Sequence, residues 1–124
     1  MEADTSPTVR PNTDRRRYEL LDGDRVIGKA HWIPFEHASV PERIFFHTTV
    51  DEEYRGQGLA ARLARFALED TIAAGVKVVT VCPYFKAYVR KHPEFQDSTV
   101  PVRPEHLAAV DQLSRRVPQG EGTQ

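Results

Sequence analysis

Cysteine is almost absent from this chain of 124 residues, which contains only Cys82. One thiol cannot form an internal disulfide, nor can it supply the several cysteines of a structural zinc site. Long hydrophobic runs are also missing: the mean hydropathy is -0.52, and no apolar stretch approaches the ~20 residues of a transmembrane helix. The acidic, polar start of the chain does not resemble a secretory signal. We therefore expect a soluble, cytoplasmic protein.

An excess of one charge sign is missing too. The chain carries 17 Lys and Arg against 18 Asp and Glu, a net charge of -1. Nucleic-acid-binding domains usually carry a clear basic excess, so we expect no nucleic-acid partner. The five histidines lack the paired spacing of motifs such as HExxH, so no metal site is predicted.

The chain is long enough for one small domain with a single core. Residues 1–14 have two prolines and no apolar periodicity, which is typical of a disordered tail. We place a single domain at residues 15–117 and a flexible C-terminus at residues 118–124.

Apolar and β-branched residues predict three antiparallel strands, at Tyr18–Leu21, Arg25–Ile33 and Arg43–Val50, with Pro34 ending the second. Asp22-Gly23-Asp24 predicts the hairpin turn between the first two strands. Simple alternation in the third strand places Phe45, His47 and Thr49 on one face and Ile44, Phe46, Thr48 and Val50 on the other.

A helical period from Gly58 to about Ala74, followed by the β-rich segment Val76–Val81, predicts a βαβ unit with parallel strands. Pro83 is suited to the first turn of a helix extending to Lys91. Phe95–Val100 is interpreted as a last short strand and Glu105–Arg116 as a last helix. The fold class is α/β, with a mixed sheet of the α+β kind.

The turn Arg55-Gly56-Gln57-Gly58 joins the third strand to the helix. Its glycines let several backbone N–H groups converge, and a helix N-terminus adds unpaired N–H groups and a positive dipole end. Such a turn suits a phosphate or pyrophosphate. It matches neither Walker A nor G-x-G-x-x-G, and by itself a tight turn without ligand is an equally good interpretation.

Three stretches resemble a known family. Arg55-Gly56-Gln57-Gly58-Leu59-Ala60 resembles the Arg/Gln-x-x-Gly-x-Gly/Ala motif of the GNAT superfamily of acetyl-CoA-dependent N-acetyltransferases. Val81-Cys82-Pro83-Tyr84-Phe85 and His92-Pro93-Glu94 resemble its small single-domain N-acetyltransferase-like subgroup. The resemblance covers about residues 18–96.

The resemblance implies a minimal GNAT fold, an antiparallel meander followed by a βαβ unit with splayed parallel strands. It also implies acetyl-CoA or coenzyme A as co-substrate and acetyl transfer to an amine, in a small molecule or a protein lysine. Separately from the resemblance, we expect a monomer or weak dimer. The coenzyme-binding residues it implies are Thr49, Val50, Arg55, Gly56, Gln57, Gly58, Leu59, Ala60 and Tyr88.

The subgroup resemblance matches Cys82 and His47 to a catalytic pair. His47 would then activate the thiol or deprotonate the amine, and an activated thiol would be able to accept the acetyl group. A buried hydrophobic cysteine and a structural core histidine are the alternatives. Tyr88 resembles the acid that protonates the departing thiolate, although it lies farther from Phe95 than the family spacing.

One further departure from the family leaves another class of function open. The helices that help to form the acceptor pocket of larger GNAT enzymes are replaced by Asp22-Gly23-Asp24. The alternative function is a non-catalytic module that binds an acyl-CoA or a partner.

Overall fold

The computed structural model describes residues 7–37 and 40–116. One mixed sheet of six strands follows the order of the chain. Its strands are β1 (Thr8–Asn12), β2 (Arg17–Asp22), β3 (Arg25–His37), β4 (Val40–Val50), β5 (Lys77–Thr80) and β6 (Thr99–Val100). The helices are α1 (Leu59–Ala73), α2 (Pro83–Lys91) and α3 (Pro104–Arg116), with short 3-10 helices at Glu52–Tyr54 and Pro93–Ser98.

Strand pairing changes from antiparallel to parallel at β4. Strands β1 to β4 form an antiparallel meander, whereas β4–β5 and β5–β6 are parallel pairs. The predicted meander and βαβ unit are thus confirmed, as is the mixed α/β class. Helix α1 ends at Ala73, and Gly75, with φ of 78°, takes the left-handed conformation that follows many helices.

Two boundary predictions were wrong. Thr8–Asn12, predicted to belong to a disordered tail, forms β1, because it pairs with β2 from Thr8↔Leu21 to Asn12↔Arg17; residues 1–6 lie outside the described part. Strand β3 continues through Pro34 to His37. Pairing of β2 with β3 stops at His31, so Pro34 lies where β3 needs no N–H donor on that side.

The predicted alternation of β4 was also wrong, because β4 contains a bulge. His47 pairs with His31 and Phe45 with Trp32, which leaves Phe46 as the extra residue. The bulge shifts the alternation by one residue. Phe45, Thr48 and Val50 therefore share one face, while Phe46 and His47 share the other.

Helices cover both faces of the sheet. Helices α1 and α2 bury one face, where Leu63, Phe45 and Phe85 are fully inaccessible. Helix α3 covers part of the opposite face, with Ile44 and Val79 beneath it. Of the predicted strand at Phe95–Val100, only Thr99–Val100 is strand; the preceding residues form the 3-10 helix and bury Phe95.

A polar cluster attaches α1 to strands β2 and β4. Arg43 donates to the hydroxyl of Tyr18 at 2.7 Å, and that hydroxyl donates to Asp70 at 2.6 Å. Burial, with the hydrogen bond to Asp70, raises the pKa of Tyr18 to about 12.

None of the described helices is long and apolar enough to span a membrane.

Candidate active site

Strands β4 and β5 separate at their carboxyl ends. Their pairing stops at Phe45↔Thr80, where the Phe45 carbonyl accepts both the Val81 N–H at 3.0 Å and the Cys82 N–H at 2.8 Å. The chain then turns into α2, while β4 continues to Val50, paired with β3 on its other side. Residues 46–50 of β4 therefore present a backbone edge that β5 does not cover.

The turn at the end of this edge is held by the β2–β3 hairpin. The Asp51 N–H donates to the Ile27 carbonyl at 2.7 Å, and the Tyr54 hydroxyl donates to Asp22. Arg55 folds back so that its Nε donates to the Val50 carbonyl at 3.3 Å. The β2–β3 hairpin thus supports the glycine turn.

The glycines of the turn adopt conformations that other residues rarely take. Gly56 and Gly58 have φ of 82° and 75°. Gly58 is the N-cap of α1 and brings no capping side chain, so the N–H groups of Leu59, Ala60 and Ala61 have no intrahelical acceptor. A Cβ on Gly58 would meet no atom within 4 Å, so the space in front of these donors is open.

A cleft of about 230 Å³ lies at this point. It is lined by Val50, Tyr54, Arg55, Gly56, Gly58, Leu59, Ala60, Ala61 and Tyr84. The structure therefore brings together most of the coenzyme-binding residues implied by the resemblance. Gln57 is an exposed residue between the two glycines, and Thr49 is exposed on the face opposite α1 and α2.

Cys82 is the N-cap of α2 and is only 4% exposed. Its Sγ lies 3.3 Å from the Oγ1 of Thr48, one residue along β4 from His47. The thiol therefore lies under the open edge of β4, on the face covered by α1 and α2, and its hydrogen-bond partner is Thr48.

His47 is exposed and faces the other way. Its ring stacks on His31 at a centroid distance of 5.9 Å, and His31 also contacts the ring of Phe46. Burial lowers the pKa of His31 to about 4, with the charges of His47, Arg17 and Lys29 acting in the same direction. His47 and Cys82 thus flank the open edge of β4 from opposite faces of the sheet, and the structure does not form the predicted direct pair.

Tyr88 does not line the cleft, although its ring lies 6.4 Å from that of Tyr84, which does. It is 7% exposed, its ring stacks on His92 at 3.9 Å, and it also contacts the ring of Phe95. Tyr84, one turn earlier in α2, lines the cleft instead, and burial raises its pKa. The sequence analysis did not place Tyr84 at the cleft, although this residue follows Cys82-Pro83 and so lies in the first turn of the predicted helix.

The polar clusters do not suggest a metal. Among the described residues, no group of three or more His, Cys, Asp or Glu side chains is arranged to hold a metal ion. The groups at the cleft are backbone N–H donors, the hydroxyls of Tyr54 and Tyr84 and the guanidinium group of Arg55. The thiol of Cys82 and the imidazole of His47 lie beside the open edge of β4.

The architecture is shared with solved structures. A GCN5-like protein of Staphylococcus aureus, solved by NMR in solution, matches with a TM-score of 0.56 and 18% identity, over 80% of this chain and 93% of that chain. At this identity the likeness shows the fold alone. The fold is that of the N-acetyltransferases, with the parallel strands splayed above the glycine turn.

Sequence comparison gives the family. The family described as GCN5-related N-acetyl-transferase matches residues 17–98. Protein NATD1 of Homo sapiens is 38% identical over 90 residues, which is 68% of this chain and 75% of that protein. Protein NATD1 of Xenopus tropicalis is 28% identical over 95 residues, 73% of this chain and 83% of that protein. The chain belongs to the GCN5-related N-acetyltransferase family, and it is therefore an acyltransferase.

Proposed function

We propose that the protein transfers the acetyl group of acetyl-CoA to an amine, with the thioester held between the ends of β4 and β5. The observation that carries this proposal is that the uncovered edge of residues 46–50 leads directly into the glycine turn. A backbone edge suits the amide groups of a pantetheine arm, and the turn suits the pyrophosphate that follows it.

The pyrophosphate is assigned to the N–H groups of Gln57 to Ala60. Three features support this assignment: the two glycines with positive φ, the missing side-chain cap, and the open space above Gly58. Anions are favoured there by both the unpaired N–H groups and the helix dipole. Tyr84, on the wall of the cleft, is then placed to contact the pantetheine arm.

Acetyl transfer needs few groups from the protein, because a thioester carbonyl is already electrophilic. The amine nitrogen forms a bond to the carbonyl carbon, and the C–S bond then breaks to release the coenzyme thiolate. The nitrogen loses one proton and the thiolate takes up one. We assign the first proton transfer to His47, which is exposed on the face open to an acceptor.

Cys82 is assigned a place beside the thioester on the covered face. Its contact with Thr48 rather than His47 supports direct attack by the amine over a route through acetyl-Cys82, because the imidazole is not positioned to activate the thiol. In the covalent route, Cys82 would take the acetyl group first, release coenzyme A, and pass the group to the amine.

The test is release of coenzyme A from acetyl-CoA in the presence of a lysine-containing peptide, for the wild type and two variants. His47→Gln should bind the donor normally and lose on the order of 10²-fold or more in kcat, as expected for a general base. Cys82→Ala should also bind the donor and lose most turnover. Donor binding by all three proteins without turnover on any amine would contradict the enzyme and support a non-catalytic acyl-CoA-binding module.

Mass spectrometry of the intact protein separates the two routes. After incubation with acetyl-CoA and no amine, direct transfer predicts an unmodified Cys82. An acetyl adduct on Cys82 that a later pulse of amine removes would establish the covalent route instead. Full activity of Cys82→Ala would remove Cys82 from both routes and leave His47 and Tyr84 to be examined.

A further inference from the structure

A basic surface lies next to His47 on the sheet face opposite α1 and α2. We call it the cationic face and define it by Arg10, Arg17, Lys29, His31 and His47. Cross-strand pairing aligns Arg17, His31 and His47 in one row. A neighbouring row aligns Arg10, Glu19, Lys29 and Thr49. The chain has a net charge of -1, so this concentration of positive charge is a local feature.

The one carboxylate within these two rows is that of Glu19. It does not neutralise the cationic face, and it holds the side chains of Arg10 and Arg17 in position. Glu19 is 1% exposed and accepts from Arg10 Nε at 2.9 Å, Arg17 Nε at 2.7 Å and Asn12 Nδ2 at 2.9 Å. Burial raises the pKa of Glu19, but these hydrogen bonds outweigh it and hold that pKa below its ordinary value. Both guanidinium groups bind Glu19 through Nε, so these contacts do not use their terminal amino groups.

The positive charge of the cationic face affects the pKa of His31. Arg17 and Lys29, together with His47, act to lower the pKa of His31, in addition to its burial. The same positive charges that disfavour a proton on His31 favour a bound anion. Lys29 is half-buried on the sheet and has its ammonium group on the same face as His47.

The spacing favours a polypeptide over a small molecule. Strands lie about 4.8 Å apart, so Arg17 is about 10 Å from His47 and Arg10 is a strand further away. The carboxylate of a small amino acid lies too close to its own amine to span this distance. An extended peptide advances about 3.3–3.6 Å per residue, so acidic side chains two to four residues from the acceptor lysine would reach both arginines.

We propose that the acceptor is a lysine in an acidic segment of a polypeptide, which docks on the cationic face with its amine at His47. This inference rests on the proposed acetyl transfer. Charge complementarity would act on both the association rate and the specificity of the acceptor.

The test compares three peptides of equal length with one central lysine, flanked at positions two and three on both sides by Asp, Ser or Arg. At low salt, kcat/KM should be on the order of 10-fold higher for the Asp peptide than for the Arg peptide, and added salt should reduce the difference. Lys29→Glu should reduce that preference several-fold, and Lys29→Gln should reduce it less. Lys91→Glu, which makes the same charge change on an exposed residue of α2, should leave it unchanged.

The outcomes separate the inference from the proposed function. Equal rates for the three peptides, or faster acetylation of the Arg peptide, would overturn the inference while acetyl transfer stands. Faster acetylation of free aspartate or glutamate than of the Asp peptide would assign the cationic face to a small acceptor and would also overturn it. No acetylation of any amine would remove both. Calorimetric titration with acetyl-CoA checks that each variant keeps its donor site.

Discussion

The hydroxyl of Thr48 lies 3.3 Å from the thiol of Cys82, and this contact joins the open edge of β4 to the first turn of α2. His47, which precedes Thr48 in β4, stacks instead on His31 on the opposite face of the sheet. The bulge at Phe46 causes this arrangement, because without it His47 would share the face of Phe45. The site thus has a thiol and an imidazole on either side of one strand.

The reactivity of Cys82 should therefore depend on Thr48 rather than on His47. Thr48→Val keeps the shape of the side chain and removes the hydroxyl, so it should change the alkylation rate of Cys82 measurably. His47→Ala should leave that rate unchanged. The measurement is alkylation by iodoacetamide in the folded protein, followed by mass spectrometry. A large effect of His47→Ala, with none of Thr48→Val, would show that the two predicted partners meet in solution.

His31 should make the stability of the protein depend on pH. Burial lowers its pKa from 6.5 to about 4 in the folded protein. Between these pH values the unfolded chain binds more protons, so the free energy of unfolding falls as the pH falls. Because solvent screens this partly exposed ring, we expect a loss of about 1–2 kcal/mol.

The measurement for His31 is urea denaturation at pH 7.5 and pH 4.5. The wild type should lose more stability between these conditions than His31→Gln, which cannot titrate there. Identical losses in the two proteins would assign the pH dependence to other groups.

Helix α3 is attached to the sheet through a buried carboxylate. Glu42 accepts from His106 Nε2 at 2.7 Å and from Arg103 at 3.2 Å. His106 Nδ1 accepts the Arg103 N–H at 3.0 Å, so the ring proton must be on Nε2, directed at Glu42. Glu42→Leu would leave a fully buried imidazole N–H unpaired, and we expect it to cost roughly 2–4 kcal/mol.

The matched control for Glu42 is Glu105→Gln, which removes an exposed carboxylate from the same Arg103. An exposed ion pair contributes less than ~1 kcal/mol, so this variant should be nearly as stable as the wild type. Urea denaturation measures both. Equal stability of Glu42→Leu and Glu105→Gln would show that the buried contact does not hold α3.

The order of the elements could be predicted from the sequence, because each depends on local patterns. The Asp-Gly turn, the change from strand to helical period at Gly58 and the Cys82-Pro83 helix start are set by neighbouring residues. The positions that were wrong depend on partners distant in the chain. Thr8–Asn12 becomes a strand because Glu19 and the edge of β2 are available to it.

The site was partly predictable for the same reason. The glycine turn is a local motif, and the structure places it at the cleft as the resemblance implies. The relation between His47 and Cys82 depends on the register between β3 and β4, where one extra residue reverses the face. Tyr88 was assigned by family position; its ring stacks on His92 and it does not line the cleft, whereas Tyr84, one turn earlier, does. Its role as a coenzyme-binding residue stays a prediction.

If the glycine turn binds the pyrophosphate of the coenzyme, a negative charge placed at Gly58 should prevent binding. Gly58→Asn and Gly58→Asp have side chains of nearly equal shape, and both residue types tolerate positive φ better than most. A Cβ here meets no atom within 4 Å, so the two variants differ mainly by a negative charge near the N–H groups. Gly75→Asp, at a similar φ of 78° beyond the other end of α1, is the control for backbone strain.

Calorimetric titration of acetyl-CoA into these four proteins tests the claim. We expect Gly58→Asp to abolish binding, Gly58→Asn to weaken it far less, and Gly75→Asp to retain the affinity of the wild type. Equal affinity for Gly58→Asp and Gly58→Asn in folded proteins, or no binding of acetyl-CoA by the wild type, would contradict it.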